Sequence, residues 1–276
     1  MQDEEKQRNL LLEQRYGQGQ TPRKIIWNDQ VKHLLRHRTV RKYLKDPLPE
    51  GALETMIAAA QSASSSSNLH QWSVIAVKDP AVKSELYRVS GWGNPFIEQA
   101  PAFLLWVADQ SRNNAIARDQ GGNAPVHDHL DAFVMATIDT TLAAQNAAIA
   151  AESLGLGVVY IGGMRNRSQE VADLLGLPEY SYVTFGMVVG YPAPDAQTRL
   201  RPRPPQDVVL HHNRYQKERA AGIAAYEAPF QDFRKDLGMK QKTFVEAAAQ
   251  SANDMAWMDG RENLRATVEA RGFKLL

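Results

Sequence analysis

Four short stretches of the sequence carry residue types that can do chemistry together. His37-Arg38-Thr39-Val40-Arg41 puts an imidazole, two guanidinium groups and a hydroxyl within five residues, a donor set suited to an anion that combines a phosphate with polar ring edges. A solvated basic loop has the same composition, because charge runs usually face water. Ser64-Ser65-Ser66-Ser67-Asn68 resembles a linker, but it leads within four residues into an apolar run from Trp72, which favours a folded loop offering hydroxyls. Gly162-Gly163 followed by Arg165 ends another apolar run. Two glycines let a backbone approach a flat or anionic ligand with a cation beside it, and the same pair is also an ordinary turn. In Arg199-Leu-Arg-Pro-Arg-Pro-Pro205 each proline biases its predecessor away from helix, so Arg201 and Arg203 stand on an extended segment, either as phosphate ligands or as part of an exposed linker.

The elements that must position these donors follow from periodicity. Val31, Leu34 and Leu35 predict a helix running into an extended stretch over 37–43, and Leu53, Met56, Ile57 and Ala60 predict another over 53–61. Strands are predicted over 72–77, 101–108, 158–161 and 183–190, as β-rich or near-continuous apolar runs bounded by Gly and Pro. Residues 82–89 and 166–175 read as amphipathic helices. A long helix precedes Gly155, its Ile138, Leu142, Ile149 and Leu154 falling on one face and its many alanines permitting close approach of a neighbour; it reads as covered all round. Residues 111–129 are polar and read as a loop over a site, gating what enters. His127 and His129 in it are surface histidines unless Asp128 and Asp131 join them as metal ligands. Residues 1–24 are a polar extension, disordered or lying as an arm on a partner, with composition favouring disorder. Residues 25–215 then form the core, and 216–276 a largely helical, charge-rich excursion.

Composition excludes several classes. The net charge of +1 over 276 residues argues against a general nucleic-acid binder. With no cysteine there are no disulfides, thiolate metal sites or Cys nucleophile, and a reducing, cytoplasmic setting is compatible. No apolar run reaches the roughly 18–20 residues of a membrane span, and the charged N-terminus is no signal peptide. A Ser–His–Asp nucleophile motif, HExxH, a phosphate-binding P-loop and a GxGxxG fingerprint in context are all missing from the sequence.

Taken together, the donor clusters can neutralise a phosphate, face a polar heteroaromatic edge and pass under a ring plane, which describes a flavin mononucleotide site better than any other common cofactor. At His37–Arg41, at Ser64-Ser-Ser-Ser-Asn-Leu69 with Trp72, at Asp139-Thr through Ala151-Glu-Ser-Leu-Gly-Leu-Gly and Tyr160-Ile-Gly-Gly-Met-Arg165, and at Arg201-Pro-Arg203-Pro with Tyr215, the chain resembles the FMN-dependent nitroreductases, in particular their NADPH-preferring branch. The order and spacing of these motifs agree as well. Where the family often has Gln-Pro before the tryptophan this chain has His70-Gln71, and Arg201 stands where the branch usually has Lys.

The resemblance implies an α+β fold: a three-layer α/β/α sandwich with a mixed, mostly antiparallel sheet, in a homodimer whose FMN sites straddle the interface along the alanine-rich helix. It implies His37, Arg38 and Thr39 around the phosphate and ribityl chain, Arg201 and Arg203 on the phosphate, and Arg41 at the N1/O2 edge of the ring. Ser65, Ser66 and Asn68 would come from the other subunit and Asn94 would touch the pyrimidine edge. Tyr160, Ile161, Gly162 and Gly163 would line one ring face, with a Gly163 N–H near N5 and Arg165 beside them. The implied activity is NADPH-dependent, ping-pong reduction of small flat acceptors such as nitroaromatics, quinones or flavins, with no catalytic acid or base on the protein and no metal. Three alternatives stay open: a flavin reductase supplying a partner oxygenase, a flavin-binding protein without turnover, and a purely structural helical protein.

Overall fold

The computed structural model describes residues 2–22, 24–91 and 93–276; Met1 and Arg23, which belong to the 1–24 extension, lie outside the described residues. In chain order the elements are α1 (Gln2–Tyr16), α2 (Asp29–Leu35), α3 (Ala52–Gln61), β1 (Trp72–Val77), α4 (Pro80–Val89), the single turn α5 (Phe96–Gln99), β2 (Ala102–Asp109), α6 (Ser111–Asp119), α7 (Leu130–Ser153), β3 (Gly157–Ile161), α8 (Ser168–Leu174) and β4 (Ser181–Gly190), and then α9 (Ala220–Asp236), α10 (Phe244–Asn253) and α11 (Leu264–Ala270). They form two compact units, one running to Thr39 and resuming over Gln197–Trp257, the other made of Val40–Ala196 with Met258–Leu276.

The second unit holds a four-stranded sheet in the order β1-β2-β4-β3. Every pairing is antiparallel, so the described strands include no parallel member of the expected mixed sheet. β2 is buried from end to end because helices cover both faces, which is why it reads as a continuous apolar run. Its side chains alternate: Phe103, Leu105 and Val107 join the core under α4, α5 and α8, while Leu104 and Trp106 join the one under α3 and α7. A β-bulge opposite Trp106 and Val107 leaves Thr184 unpaired in β4. The chain's C-terminal segment closes one end of the sheet, where buried Arg271 donates to Ser181 O at 2.7 Å, Leu177 O at 2.8 Å and Pro178 O at 2.6 Å. The three-layer α+β expectation is met.

One local expectation is overturned, over residues 111–119. Within a single chain α7 buries Ala136, Ala143, Ala147 and Ala151 against the sheet and leaves Leu130, Val134, Ile138 and Leu142, four residues apart, 41–52% exposed, the side that the expected cover by a neighbour would occupy. Alanine wins the inner face because only a smooth helix surface can close on Trp106 and Met187 without a gap. Residues 111–119 are helix rather than loop, with Ser111 N donating to Asp109 at 3.0 Å. Gly162–Arg165 is a turn, as the glycine pair implies, and it is wound as a single 3-10 turn.

In the first unit, residues 2–16 are helical although their composition favours disorder; Leu11, Leu12 and Arg15 of α1 are buried. Tyr226, Phe230 and Phe244 pack edge-on at centroid distances of 5.1–5.7 Å, joining α9 to α10. A capping box of Thr243 and Glu246 starts α10. No helix among the described residues is long and apolar enough to cross a membrane.

Candidate functional site

In the first unit the structure brings His37, Arg38 and Thr39 together with Arg201 and Arg203. The agent is Arg15. Its Nη1 donates to Arg201 O at 2.6 Å and its Nη2 to Leu35 O at 2.6 Å and His37 O at 2.8 Å, while Arg15 O accepts from Arg203 N at 2.7 Å. Arg38, Arg201 and Arg203 are exposed, and His37 and Thr39 are half-buried. Arg38 Nε donates to Thr198 Oγ1 at 3.1 Å, and the Arg201 guanidinium lies 5.5 Å from the centroid of the Phe233 ring. Pro202 is buried and its carbonyl accepts from Tyr226 OH at 2.9 Å.

Arg41 belongs to the second unit, on a segment held against the edge of β3. Val40 N donates to Val158 O at 3.1 Å and Leu44 N to Tyr191 O at 2.9 Å, and Tyr43 OH reaches Val40 O at 2.7 Å. Val40 and Tyr43 are buried while Arg41 is exposed, the alternation of an edge segment. Gly157 makes this docking possible, since a Cβ there would stand 2.5 Å from Val40 Cγ2. Burial pushes the Tyr43 hydroxyl far above the ordinary tyrosine range, against the opposing field of Arg41.

The serine loop is folded around one carboxylate. Asp139, 2% exposed on α7, accepts from Ser65 Oγ at 2.7 Å, Ser66 N at 2.9 Å and Gln71 N at 3.3 Å. Ser65 Oγ in turn accepts from His70 N at 2.8 Å, so this hydroxyl is engaged in the loop's own structure. Ser67, Asn68 and His70 have φ of 51°, 57° and 48°, the left-handed region that costs non-glycine residues roughly 1–2 kcal/mol each. Asn68 is exposed and Ser66 half-buried.

At the end of β3, Ile161 is buried and Tyr160, Gly162 and Gly163 are half-buried. Tyr160 packs edge-on against Phe185 at 5.1 Å, and burial raises its hydroxyl above the ordinary range. A Cβ at Gly163 would stand 2.8 Å from Ser90 O, so this glycine is required by the close approach of the α4 terminus. Arg165 does not reach outward. It donates to Thr184 O at the β4 bulge, and burial lowers its pKa from the usual arginine range. The half-buried Asn94 donates weakly to Ser90 Oγ at 3.4 Å.

The two residues that organise these segments, Arg15 and Asp139, were not singled out as site residues from sequence. Asp139 had a readable signal, being the single carboxylate between Asp131 and Glu152 in a helix otherwise of alanines, hydroxyls and apolar groups. Arg15 had none, lying in a polar tract. No group of three His, Cys, Asp or Glu residues fit to hold a metal occurs among the described residues. The donor types do fit FMN: in the first unit the exposed Arg38, Arg201 and Arg203, on segments whose His37 and Arg201 carbonyls are drawn onto Arg15, suit a phosphate, and in the second unit exposed Arg41 and the amide of Asn68 suit the edge of a polar ring.

Comparison with known proteins gives concordant matches. The model of the nitroreductase family matches residues 34–191, and that of the nitroreductase family C-terminal domain matches 201–276. The NADPH-flavin oxidoreductase of Vibrio harveyi is 36% identical over 215 residues, covering 78% of this chain and 86% of that protein. An FMN reductase [NAD(P)H] of Bacillus subtilis is 33% identical over 253 residues, covering 90% of this chain and 99% of its own. Among solved structures, B. megaterium NfrA2 superposes with a TM-score of 0.84 at 32% identity, covering 91% of this chain and 100% of that one. The NADPH:FMN oxidoreductase of Vibrio harveyi complexed with NAD+ does so with a TM-score of 0.78 at 33% identity, covering 90% and 99%.

Proposed function

Because the chain belongs to the nitroreductase family, we propose to read it as an FMN-dependent NAD(P)H oxidoreductase with small flat electron acceptors. The observation that carries this is its similarity, over 78–90% of its length, to proteins named NADPH-flavin oxidoreductase and FMN reductase. Those names favour free flavin among the acceptors, ahead of nitroaromatics and quinones, and NADPH as the preferred reductant. We assign the enzyme to the cytoplasm, a reducing setting with which a chain without cysteine is compatible.

FMN, when bound, supplies a ring that takes hydride from the nicotinamide and gives up two electrons to a second flat molecule. The protein's own residues bind and orient. His37, Arg38, Thr39, Arg201 and Arg203 are assigned to the phosphate and ribityl chain. Arg41 is assigned to the N1/O2 edge, where a fixed cation favours the negative charge that develops on reduction. Asn94, the half-buried Ser66 and the exposed Asn68 are assigned to the polar ring edges; Ser65 serves mainly by holding the loop against Asp139. Tyr160, Ile161, Gly162 and the Gly163 N–H flank the ring, and Arg165 supports this turn from beneath through Thr184 O. No side chain is given a proton-transfer or nucleophilic step.

A homodimer accounts for the outward row Leu130, Val134, Ile138 and Leu142, which in a lone chain leaves a long apolar stripe in water. The α7 helix spans roughly 36 Å at 1.5 Å per residue, long enough to be the spine of a two-fold interface.

Anaerobic stopped-flow mixing of the yellow protein with NADPH or NADH tests the reading. Rapid bleaching, faster with NADPH, followed by recovery of colour on adding free FMN, a quinone or a nitroaromatic is the expected result. A protein that takes up no flavin, or holds one that NADPH does not bleach, refutes it.

A further inference from the structure

Arg15 is 5% exposed and lies in the last turn of α1, ahead of both segments matched by the family models. The carbonyls it touches are that of Leu35, at the C-terminal end of α2 where helix carbonyls lack an intrahelical donor, and those of His37 and Arg201, on segments outside any helix or strand, so none has a ladder to satisfy it. A guanidinium is a planar fork of donors with no acceptor, and here it serves Leu35 O, His37 O and Arg201 O at once.

These bonds have an electrostatic consequence. In a planar trans peptide the carbonyl and the following N–H point in opposite directions. With His37 O drawn onto Arg15 at 2.8 Å, the Arg38 N–H is directed away from Arg15, and the negative ends of the Leu35, His37 and Arg201 carbonyl dipoles are turned inward rather than toward a bound anion. Arg203 is fixed in the same register, its N–H bonded to Arg15 O at 2.7 Å.

We propose that Arg15 is a positioning residue of the flavin phosphate subsite: it touches no ligand itself, and it sets His37, Arg38, Arg201 and Arg203 as one preorganised anion receptor, making α1 part of the binding machinery. The proposal rests on the assignment of those residues to the FMN phosphate. A lysine at this position has one compact ammonium and cannot hold three carbonyls in the plane of a fork.

The test is a comparison of two ligands that differ only in the phosphate. Full-length wild type, Arg15→Met and Arg15→Lys are stripped of flavin and titrated with FMN and with riboflavin, following flavin fluorescence. Wild type is expected to prefer FMN strongly. Arg15→Met should lose roughly ten- to hundredfold of that preference, the weight of one or so misplaced hydrogen bonds to a charged group, with Arg15→Lys intermediate. A purely structural role weakens both ligands together and leaves their ratio unchanged, which overturns the proposal. Should Arg15→Met not fold, the ratio in Arg15→Lys decides by the same criterion. A wild type that binds FMN no better than riboflavin overturns the phosphate assignment itself; a preference kept by the variants overturns only the role of Arg15.

Discussion

Replacing Asp139 with Asn should release the serine loop while leaving the fold in place. The carboxylate accepts on both oxygens, from Ser66 N at 2.9 Å on one and from Ser65 Oγ at 2.7 Å and Gln71 N at 3.3 Å on the other. An amide of the same shape offers one acceptor and points two donors at the other partners. The loss is at least one hydrogen bond to a charged group, and with the donor–donor mismatch it comes to roughly 2–4 kcal/mol. Those bonds hold three left-handed residues, Ser67, Asn68 and His70, in a conformation they would leave if released. The opening should therefore be local. Amide hydrogen exchange at Ser66, His70 and Gln71 is expected to accelerate roughly thirty- to thousandfold, the equivalent of that energy. Exchange in β2 and β4 should change far less. Loop exchange within a factor of about three of wild type would refute the reasoning, since a thirtyfold change is the least that 2 kcal/mol allows.

Arg41→Ala should lower FMN retention and slow reduction by NADPH; wild-type flavin content and hydride-transfer rate in that variant would remove Arg41 from the ring edge. Leu142→Asp places a charge in the middle of the α7 stripe and should shift sedimentation from dimer to monomer, an effect absent if the wild type already sediments as a monomer. His127 titrates below the usual 6.5 because burial disfavours its charged form, with Asp128 opposing. Between that lowered value and 6.5 the unfolded chain binds the extra proton, so stability is full above 6.5 and falls as the pH drops through it. Urea melts from pH 7 to 5 should show a steeper decline for wild type than for His127→Gln, and parallel curves would refute the assignment.

What the sequence made legible is set by what lies on each buried face. β1 was bounded to the residue, 72–77, and β2 to within one, because runs such as Phe103–Ala108 have no amphipathic ambiguity and end at Asp or Pro. The orientation of α7 was not legible, since hydrophobicity ranks Ile138 and Leu142 above alanine while close packing on Trp106 ranks them below it. Helix α6 reads as a loop in the sequence because its buried residue is Asn114, 3% exposed, and its large apolar residue, Ile116, faces water. Of α1 the sequence shows only a short helix-like piece around Leu10–Leu12, for a related reason: beside Leu11 and Leu12, the residue it buries is an arginine. Periodicity finds apolar faces, so an element that buries polar side chains passes for surface.

The same rule explains why the donor segments were visible in the sequence and their supports were not. A loop proposed to face a ligand shows its chemistry on the exposed side, where Arg38, Arg201, Arg203 and Asn68 stand. Its inner backbone groups must still be satisfied, and a buried ion of the right sign does this with the fewest residues. The Arg15 side chain is donor-only and collects carbonyls, which turns the Arg38 N–H away from it and toward the side proposed to hold the anion. Asp139 is acceptor-only and collects the Ser66 and Gln71 N–H groups and the Ser65 hydroxyl, which folds the loop so that the Asn68 amide stands on its exposed side. On the proposed assignment, Arg15→Met should therefore weaken the hold on the flavin phosphate and spare the ring, whereas Asp139→Asn should release the loop that carries Asn68 and weaken the ring edge alone.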